Sequence, residues 1–445
     1  MRVTINKSTV AGSAIIPPSK SMTIRALMCA ALSSGESEII NPLVSDDTNV
    51  AAEVLTKIGA VIRKEEDVWK VSGGKLHAAQ ADIDCGESAT TLRFMTAICS
   101  LIPGHHRLVC GPSLSKRPIG SLVEALAKLG AKISTEKTGT APVNIEGGTF
   151  IGGTTDIPGN VSSQFISALL LISPFAQKGV VIKLTTPLTS KPYILMTLSS
   201  LKQFGIVVQR DVSKFIVLRQ KYVPASVKID SDWSSASYFL ALGAMSKEGI
   251  LIQNLNLASL QGDRVILDLL RIMGARVRVA GINIVVNYDK LKGLHADLSD
   301  CIDLLPTMAM MAAVAKGTSD LTGIQRGRIK ESNRVTAVRE SLTKLGVTVI
   351  EGENQLRITG KDLFRETTDD FLAESDDDDN PEIEFESKEL VTLSSRGDHR
   401  IAMALAVLGA ALGNIAIDGA ECVTKTFPTF WEEFERIGGQ VTTDE

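Results

Sequence analysis

One short pattern returns six times along the chain: an amphipathic helical run, an apolar residue, a glycine, then alternating apolar and polar residues. It reads "EVLTKIGAVIR" around Gly59, "EALAKLGAKIS" around Gly130 and "SSLKQFGIVVQ" around Gly205. It returns as "DLLRIMGARVR" around Gly274, "ESLTKLGVTVI" around Gly346 and "EEFERIGGQVT" around Gly438. Apolar residues three and four apart put one stripe on a helix face. The glycine predicts a left-handed C′ cap, and the alternation after it predicts a strand. These glycines lie 71, 75, 69, 72 and 92 residues apart. That period is too long for a typical solenoid and suits a small α/β supersecondary unit. At 445 residues, six such units exceed one compact core and call for two or more domains.

A second helix recurs on the same period, opening at "SKSMTIRALMCAAL", "SATTLRFMTAI", "SSQFISALLLI", "SSASYFLALGAM", "LLPTMAMMAAVA" and "HRIAMALAVLGAAL". Each is small and apolar all round, as a buried helix is. With 44% hydrophobic but only 4% aromatic residues, the cores must be built from Ala, Leu, Ile, Val and Met. The helix openings are polar, with Ser21, Ser88, Ser162 and Ser234 near four of them and His399–Arg400 at another. Helix N-termini carry unpaired N–H groups and partial positive charge, so several converging ones form an anion site. Two sets of three units predict two similar globules with these ends facing a shared cleft.

Cations repeat at loop-to-helix junctions: Lys20 and Arg25, Arg93, Arg117 in "SKRP", Lys191 in "SKPY", Arg328, Lys330 and Arg334 in "GRIKESNR", Arg400 in "GDHR" and Lys425 in "TKTFP". Their recurrence at corresponding places favours a site for one or two highly anionic small molecules. Two carboxylates stand among them. Asp303 precedes a buried helix, where a carboxylate ordinarily serves as a cap, and Glu331 has the spacing of a surface ion pair with Lys330 or Arg334. The other reading makes them a general acid/base pair held among substrate-binding cations.

A net charge of −4 argues against a general nucleic-acid binder. The six cysteines form no C-x-x-C pair and the five histidines are scattered, so neither a disulfide framework nor a metal site is expected. No phosphate-loop, dinucleotide or zinc-protease motif is present, leaving ATP and nicotinamide chemistry without support. The start lacks an apolar signal core, and the long apolar runs are broken. The expectation is a cytoplasmic protein with reduced thiols and no membrane partner.

From "PPSKSMTIRA" to "TKTFPTFWEEF", through "LSKRPIGSL", "NVSSQFISALL", "SKPYI", "SSASYFLA", "RIKESNR" and "GDHRIAMA", the chain resembles the 5-enolpyruvylshikimate-3-phosphate synthases. These are also called 3-phosphoshikimate 1-carboxyvinyltransferases, of the enolpyruvyl transferase family. The resemblance implies an α/β fold of two domains, each an inside-out α/β barrel of three βαβαββ units. It places the domains at 20–230 and at 1–19 with 231–445, the latter carrying an acidic insert at about 364–387. It implies transfer of the carboxyvinyl group of phosphoenolpyruvate to the 5-hydroxyl of shikimate 3-phosphate, by a monomer using no cofactor. Its relative acting on UDP-N-acetylglucosamine shares the fold but lacks this set of motifs.

By the same resemblance, Lys20 touches both substrates. Ser21, Arg25, Ser162, Ser163, Gln164, Ser190, Tyr193 and Lys330 hold shikimate 3-phosphate. Ala89, Thr90, Arg93, Arg117, Gln164, Arg334, Arg400 and Lys425 grip phosphoenolpyruvate. Asp303 accepts the 5-hydroxyl proton and Glu331 protonates the methylene carbon. The chain departs from the common family pattern at Glu87, where asparagine is usual, at Ala89, where glycine is usual, and at Asn333, where aspartate is common. In the family, alanine at the second of these positions accompanies tolerance to glyphosate.

Overall fold

The structure is a computed structural model that describes residues 1–361 and 389–444. The acidic segment expected at about 364–387 lies outside the described residues. Among those residues the chain forms six four-stranded sheets, all with one connectivity. In the second, Ile83–Asp84 pairs parallel with Gly104–Val109, which pairs antiparallel with Thr140–Gly147, itself antiparallel to Lys132–Lys137. Helices Ala89–Cys99 and Gly120–Lys128 fill the two gaps, giving the order strand, helix, strand, helix, strand, strand. The six repeating glycines all have positive φ, from 74 to 105°. Each ends the second helix of its unit, where residues with a Cβ are disfavoured.

Three strands pair far from their neighbours in sequence. Gly12–Ala14 runs parallel to Ile250–Ile252, and Ser226–Lys228 parallel to Gly35–Ile40. Arg2–Asn6 lies between Ile415–Asp418 and Gln440–Asp444. The segments after the two exchanged strands run side by side. The Ser19 N–H donates to the Asp230 carbonyl, and the Asp232 N–H to the Pro17 carbonyl, both at 2.8 Å. Buried apolar side chains fall into two clusters. One runs from Ile24 to Ile229, and the other joins Val3–Ile16 to Trp233–Ile437.

The recurring apolar helices are Lys20–Leu32, Ala89–Cys99, Ser163–Ile172, Trp233–Ala244, Leu305–Val314 and His399–Leu412. They form the interior of the two clusters. Ser19 precedes the first helix, and Asp232 caps the fourth by accepting from the Ser235 N–H at 2.9 Å, which leaves Ser21 and Ser234 inside the first turns. Aspartate accepts as well as serine at this position, so the sequence alone does not choose between neighbours.

Close approach of inner helix to sheet depends on glycine in a repeated place. A Cβ on Gly73 would lie 2.3 Å from the Ala31 carbonyl oxygen, on Gly147 1.9 Å from that of Ile102, and on Gly360 2.0 Å from that of Ala312. The following residues donate to orphan helix-end carbonyls: Gly74 to Ala31 at 2.9 Å, Gly148 to Ser100 at 3.0 Å and Lys361 to Ala313 at 3.1 Å, closing bonds the helix leaves open. In the fourth and sixth units the glycine is on the helix instead, Gly243 against Val286 and Gly409 against Ile5. Gly147→Ala is expected to lower unfolding free energy by about 3 kcal/mol through overpacking. The urea midpoint measures this, and an unchanged midpoint would show that helix and strand separate without cost.

Candidate active site

The N-terminal ends of the inner helices meet at a cleft between the two clusters. From the first cluster come Lys20, Ser21 and Arg25 on one helix, Ala89, Thr90 and Arg93 on the next, and Ser162, Ser163 and Gln164 on the third. Ser190, in the left-handed region at φ 53° and 1% exposed, turns the chain so that Tyr193 also faces in. The second cluster supplies Asp303, Lys330, Glu331 and Arg400. Contacts cross the cleft directly. The Tyr193 hydroxyl donates to Asp303 at 2.6 Å, the Lys191 N–H to Asp300 at 2.9 Å, and the Ser113 hydroxyl to the Glu331 carbonyl at 3.0 Å.

Seven cations line the cleft against three carboxylates, Asp47, Asp303 and Glu331. Arg93 and Arg117 stand on one wall of it, Arg117 with the Glu331 carboxylate 3.6 Å away. Burial first, and then the Arg117 charge, pushes the Arg93 guanidinium well below its ordinary value. Arg93 donates to Gln164 Oε1 at 2.8 Å and to the Pro118 carbonyl at 3.1 Å, while Gln164 donates on to Thr90 at 3.0 Å. The Nε atoms of both arginines are buried without a partner. Two adjacent guanidiniums, one buried and one half-buried, with spare donors suit a bidentate anion. Arg25, buried and held by Thr197 at 2.8 Å and by the Ser21 carbonyl at 2.9 Å, is pushed down to about 10 by burial.

Asp303 and Glu331 are both ionised here. Burial would raise the Asp303 carboxyl, but Arg400, Lys330 and Arg334 outweigh it and hold it well below the usual range. The same holds for Glu331 through Arg334, Arg117 and Lys425. One guanidinium joins the two: Arg334 donates to Asp303 at 2.6 Å, to Glu331, and through Nε to Asp398 at 2.8 Å. An ionised carboxylate can accept a proton, and either of the two becomes a donor only after taking one up.

The family model described as EPSP synthase (3-phosphoshikimate 1-carboxyvinyltransferase) matches residues 5–434. A 3-phosphoshikimate 1-carboxyvinyltransferase of Dehalococcoides mccartyi is 40% identical over the full length of both chains. One of Methanospirillum hungatei is 37% identical, covering 95% of this chain and 94% of its own. The chain belongs to the EPSP synthase family. A solved EPSP synthase of Acinetobacter baumannii superposes with a TM-score of 0.79 at 25% identity, covering all of both chains. An enolpyruvyl transferase of Streptomyces tendae shares the fold, with a TM-score of 0.77 at 15% identity over 99% of this chain and 98% of its own.

Against the family's residue pattern, most expected positions meet at this cleft. Two stand behind it. Arg334 is 1% exposed and engaged by three carboxylates, and Lys425 donates to the Glu87 carbonyl at 2.8 Å. Lys191 and Arg328, grouped by sequence with the cleft cations, lie elsewhere: Lys191 is exposed, and Arg328 pairs with Glu351 and the Gly352 carbonyl. The unusual Glu87 turns from the cleft and accepts from the Ser113 and Leu114 N–H groups at 3.0 and 2.8 Å, fixing the loop that carries Arg117. Asn333 caps the helix Arg334–Lys344 by accepting from the Thr336 N–H at 3.2 Å, a role asparagine and aspartate fill equally.

Sequence reasoning missed Asp47 and Arg326 as lining residues and named His399, which also lines the cleft, only as a polar helix opening. His399 is 1% exposed, and neither ring nitrogen has a partner. Burial, then Lys20 and Arg400, keeps it neutral. Behind Ser21 and Tyr193 a smaller cavity holds Asp263. Burial and then Asp303 push this carboxyl up to about 7, while Ser234 donates to it.

Lys330 supplies a pH test. Burial pushes its ammonium down to about 8, more than Asp303 opposes, so the cleft loses one positive charge as pH rises through about 8. Inorganic phosphate is already dianionic there. Its affinity by calorimetry is expected to fall above pH 8 in the wild-type protein and to fall less in Lys330→Met. Equal pH dependence in both proteins would remove Lys330 from the site.

Proposed function

We propose that this chain transfers the carboxyvinyl group of phosphoenolpyruvate to the 5-hydroxyl of shikimate 3-phosphate, releasing phosphate. The observation that carries this is the Asp303–Arg334–Glu331 arrangement, two ionised carboxylates on one buried guanidinium, facing the cation wall of the other cluster. We assign 20–230 to one domain, the shikimate 3-phosphate side, and 1–19 with 231–445 to the other.

Shikimate 3-phosphate is assigned to Ser21, Arg25, Ser162, Ser163, Gln164, Ser190, Tyr193 and Lys330. Phosphoenolpyruvate is assigned to Ala89, Thr90, Arg93, Arg117, Gln164 and Arg400, with Arg334 and Lys425 behind them and Lys20 between the two ligands. Both substrates are anions and repel each other. Fixed cations in a low-dielectric cleft offset that repulsion without reorganising during the reaction.

Asp303 takes the 5-hydroxyl proton as that oxygen bonds to C2 of phosphoenolpyruvate. Glu331 must deliver a proton to C3, and so must first acquire one. Phosphoenolpyruvate supplies the cause: its charges neutralise Arg117 and Lys425, which now depress the Glu331 carboxyl, and the carboxyl rises. The product of addition is a tetrahedral intermediate. Return of a C3 proton to Glu331 and passage of the Asp303 proton to the departing phosphate then break the C2–O bond and restore the double bond. Six free thiols suit a reducing compartment, and we place the enzyme in the cytoplasm. Among the described residues no helix is long and apolar enough to cross a membrane.

Phosphate release from phosphoenolpyruvate should require shikimate 3-phosphate and should not be supported by UDP-N-acetylglucosamine; the reverse requirement would overturn the proposal. Asp303→Asn should lower kcat by roughly 10²- to 10⁴-fold, as loss of a general base does, with unfolding unchanged by circular dichroism. The methyl of Ala89, at a 6% exposed helix start on the cleft, takes up inhibitor space. Ala89→Gly should therefore tighten glyphosate inhibition, and equal inhibition constants would sink that idea.

A further inference from the structure

We propose that Asp47 is a positioning residue that holds the ammonium groups of Lys20 and Lys425, one from each side of the cleft, around a single carboxylate. This rests on the enolpyruvyl-transfer reading above. Asp47 lies in the first turn of the helix Asp46–Lys57, fixed by a capping box between Ser45 and Thr48. Its side chain is 5% exposed, with Oδ2 2.9 Å from Lys20 Nζ and Oδ1 4.0 Å from Lys425 Nζ.

An acidic residue in a first turn ordinarily interacts with the helix dipole. Asp46 is the internal comparison, since it shares the turn but stays exposed and accepts from the Thr424 hydroxyl at 2.7 Å. Only Asp47 is turned into the cleft. Two ammoniums that meet at one carboxylate repel each other. The carboxylate between them removes that cost. Because Lys425 also donates to the Glu87 carbonyl, two residues before Ala89, the same contact draws the turn Ala420–Lys425 over the phosphoenolpyruvate side. Lys20 is thereby aimed only when both sides are together.

The experiment measures kcat and KM for phosphoenolpyruvate together with the melting temperature. Asp47→Asn is expected to lower kcat roughly 100-fold, the scale of a misplaced catalytic group, with Asp47→Glu recovering at least about a tenth of wild-type turnover. Asp46→Asn is expected to stay within about fivefold of wild type, as loss of an exposed contact does. In a Lys20→Ala background, Asp47→Asn should cost less than about threefold more, because residues acting as a unit are not additive. Equal losses in both backgrounds would overturn the proposal, as would unchanged kcat in Asp47→Asn. If Asp47→Asn melts early, Asp47→Glu decides: recovered turnover supports the proposal and none overturns it. Wild-type protein without turnover on the two substrates would defeat the functional reading itself, and this proposal with it.

Discussion

Arg334 is the point on which the cleft is built. Its guanidinium is buried and offers hydrogen bonds to Asp303, Glu331 and Asp398, which come from three separate stretches of chain. Asp398 is itself the cap of the inner helix His399–Leu412, accepting from the Arg400 N–H at 3.0 Å, and it also receives the Ser332 hydroxyl at 3.0 Å. One planar fork therefore ties the position of a helix start to the position of both carboxylates. Three buried carboxylates around one cation would be untenable alone. Lys330 and Arg400, each within 3.5 Å of Asp303, and Arg117, 3.6 Å from Glu331, complete the neutralisation.

The two sides of the cleft thus carry opposite imbalances. The second cluster brings the carboxylates with their cations already engaged, whereas Arg93 and Arg117 on the first each keep an Nε donor without a partner. A ligand bearing phosphate and carboxylate groups answers that surplus. On the proposed function, its arrival would also weaken the cationic hold on Glu331 and favour uptake of a proton there.

The repeats were legible because their signal has a steric cause: a positive φ after a helix favours glycine, and it recurs at the same step six times. The clustered cations were legible because their motifs match a family pattern. Asp47 was not, since "SDDTNV" reads as an ordinary acidic helix start and only burial separates it from Asp46. Arg326 was hidden beside Arg328, which the fold sends to Glu351 instead. The exchanged strands "GSA" and "SVK" are three residues long, too short for any alternation to announce them. Their pairing is decided by the sheets that receive them.

That pairing sets an order of assembly. Arg2–Asn6 is made early by the ribosome, yet both strands it joins begin after residue 414. Gly12–Ala14 likewise waits for Ile250–Ile252. The first cluster, between Ile24 and Ile229, has all of its buried apolar side chains available once about half of the chain has emerged. The second is complete only once the stretch from Ile415 to Asp444 has been made, and until then its earliest strand is an unpaired edge. The segment before Pro17 therefore finds its place only after strands far downstream in the chain have been made.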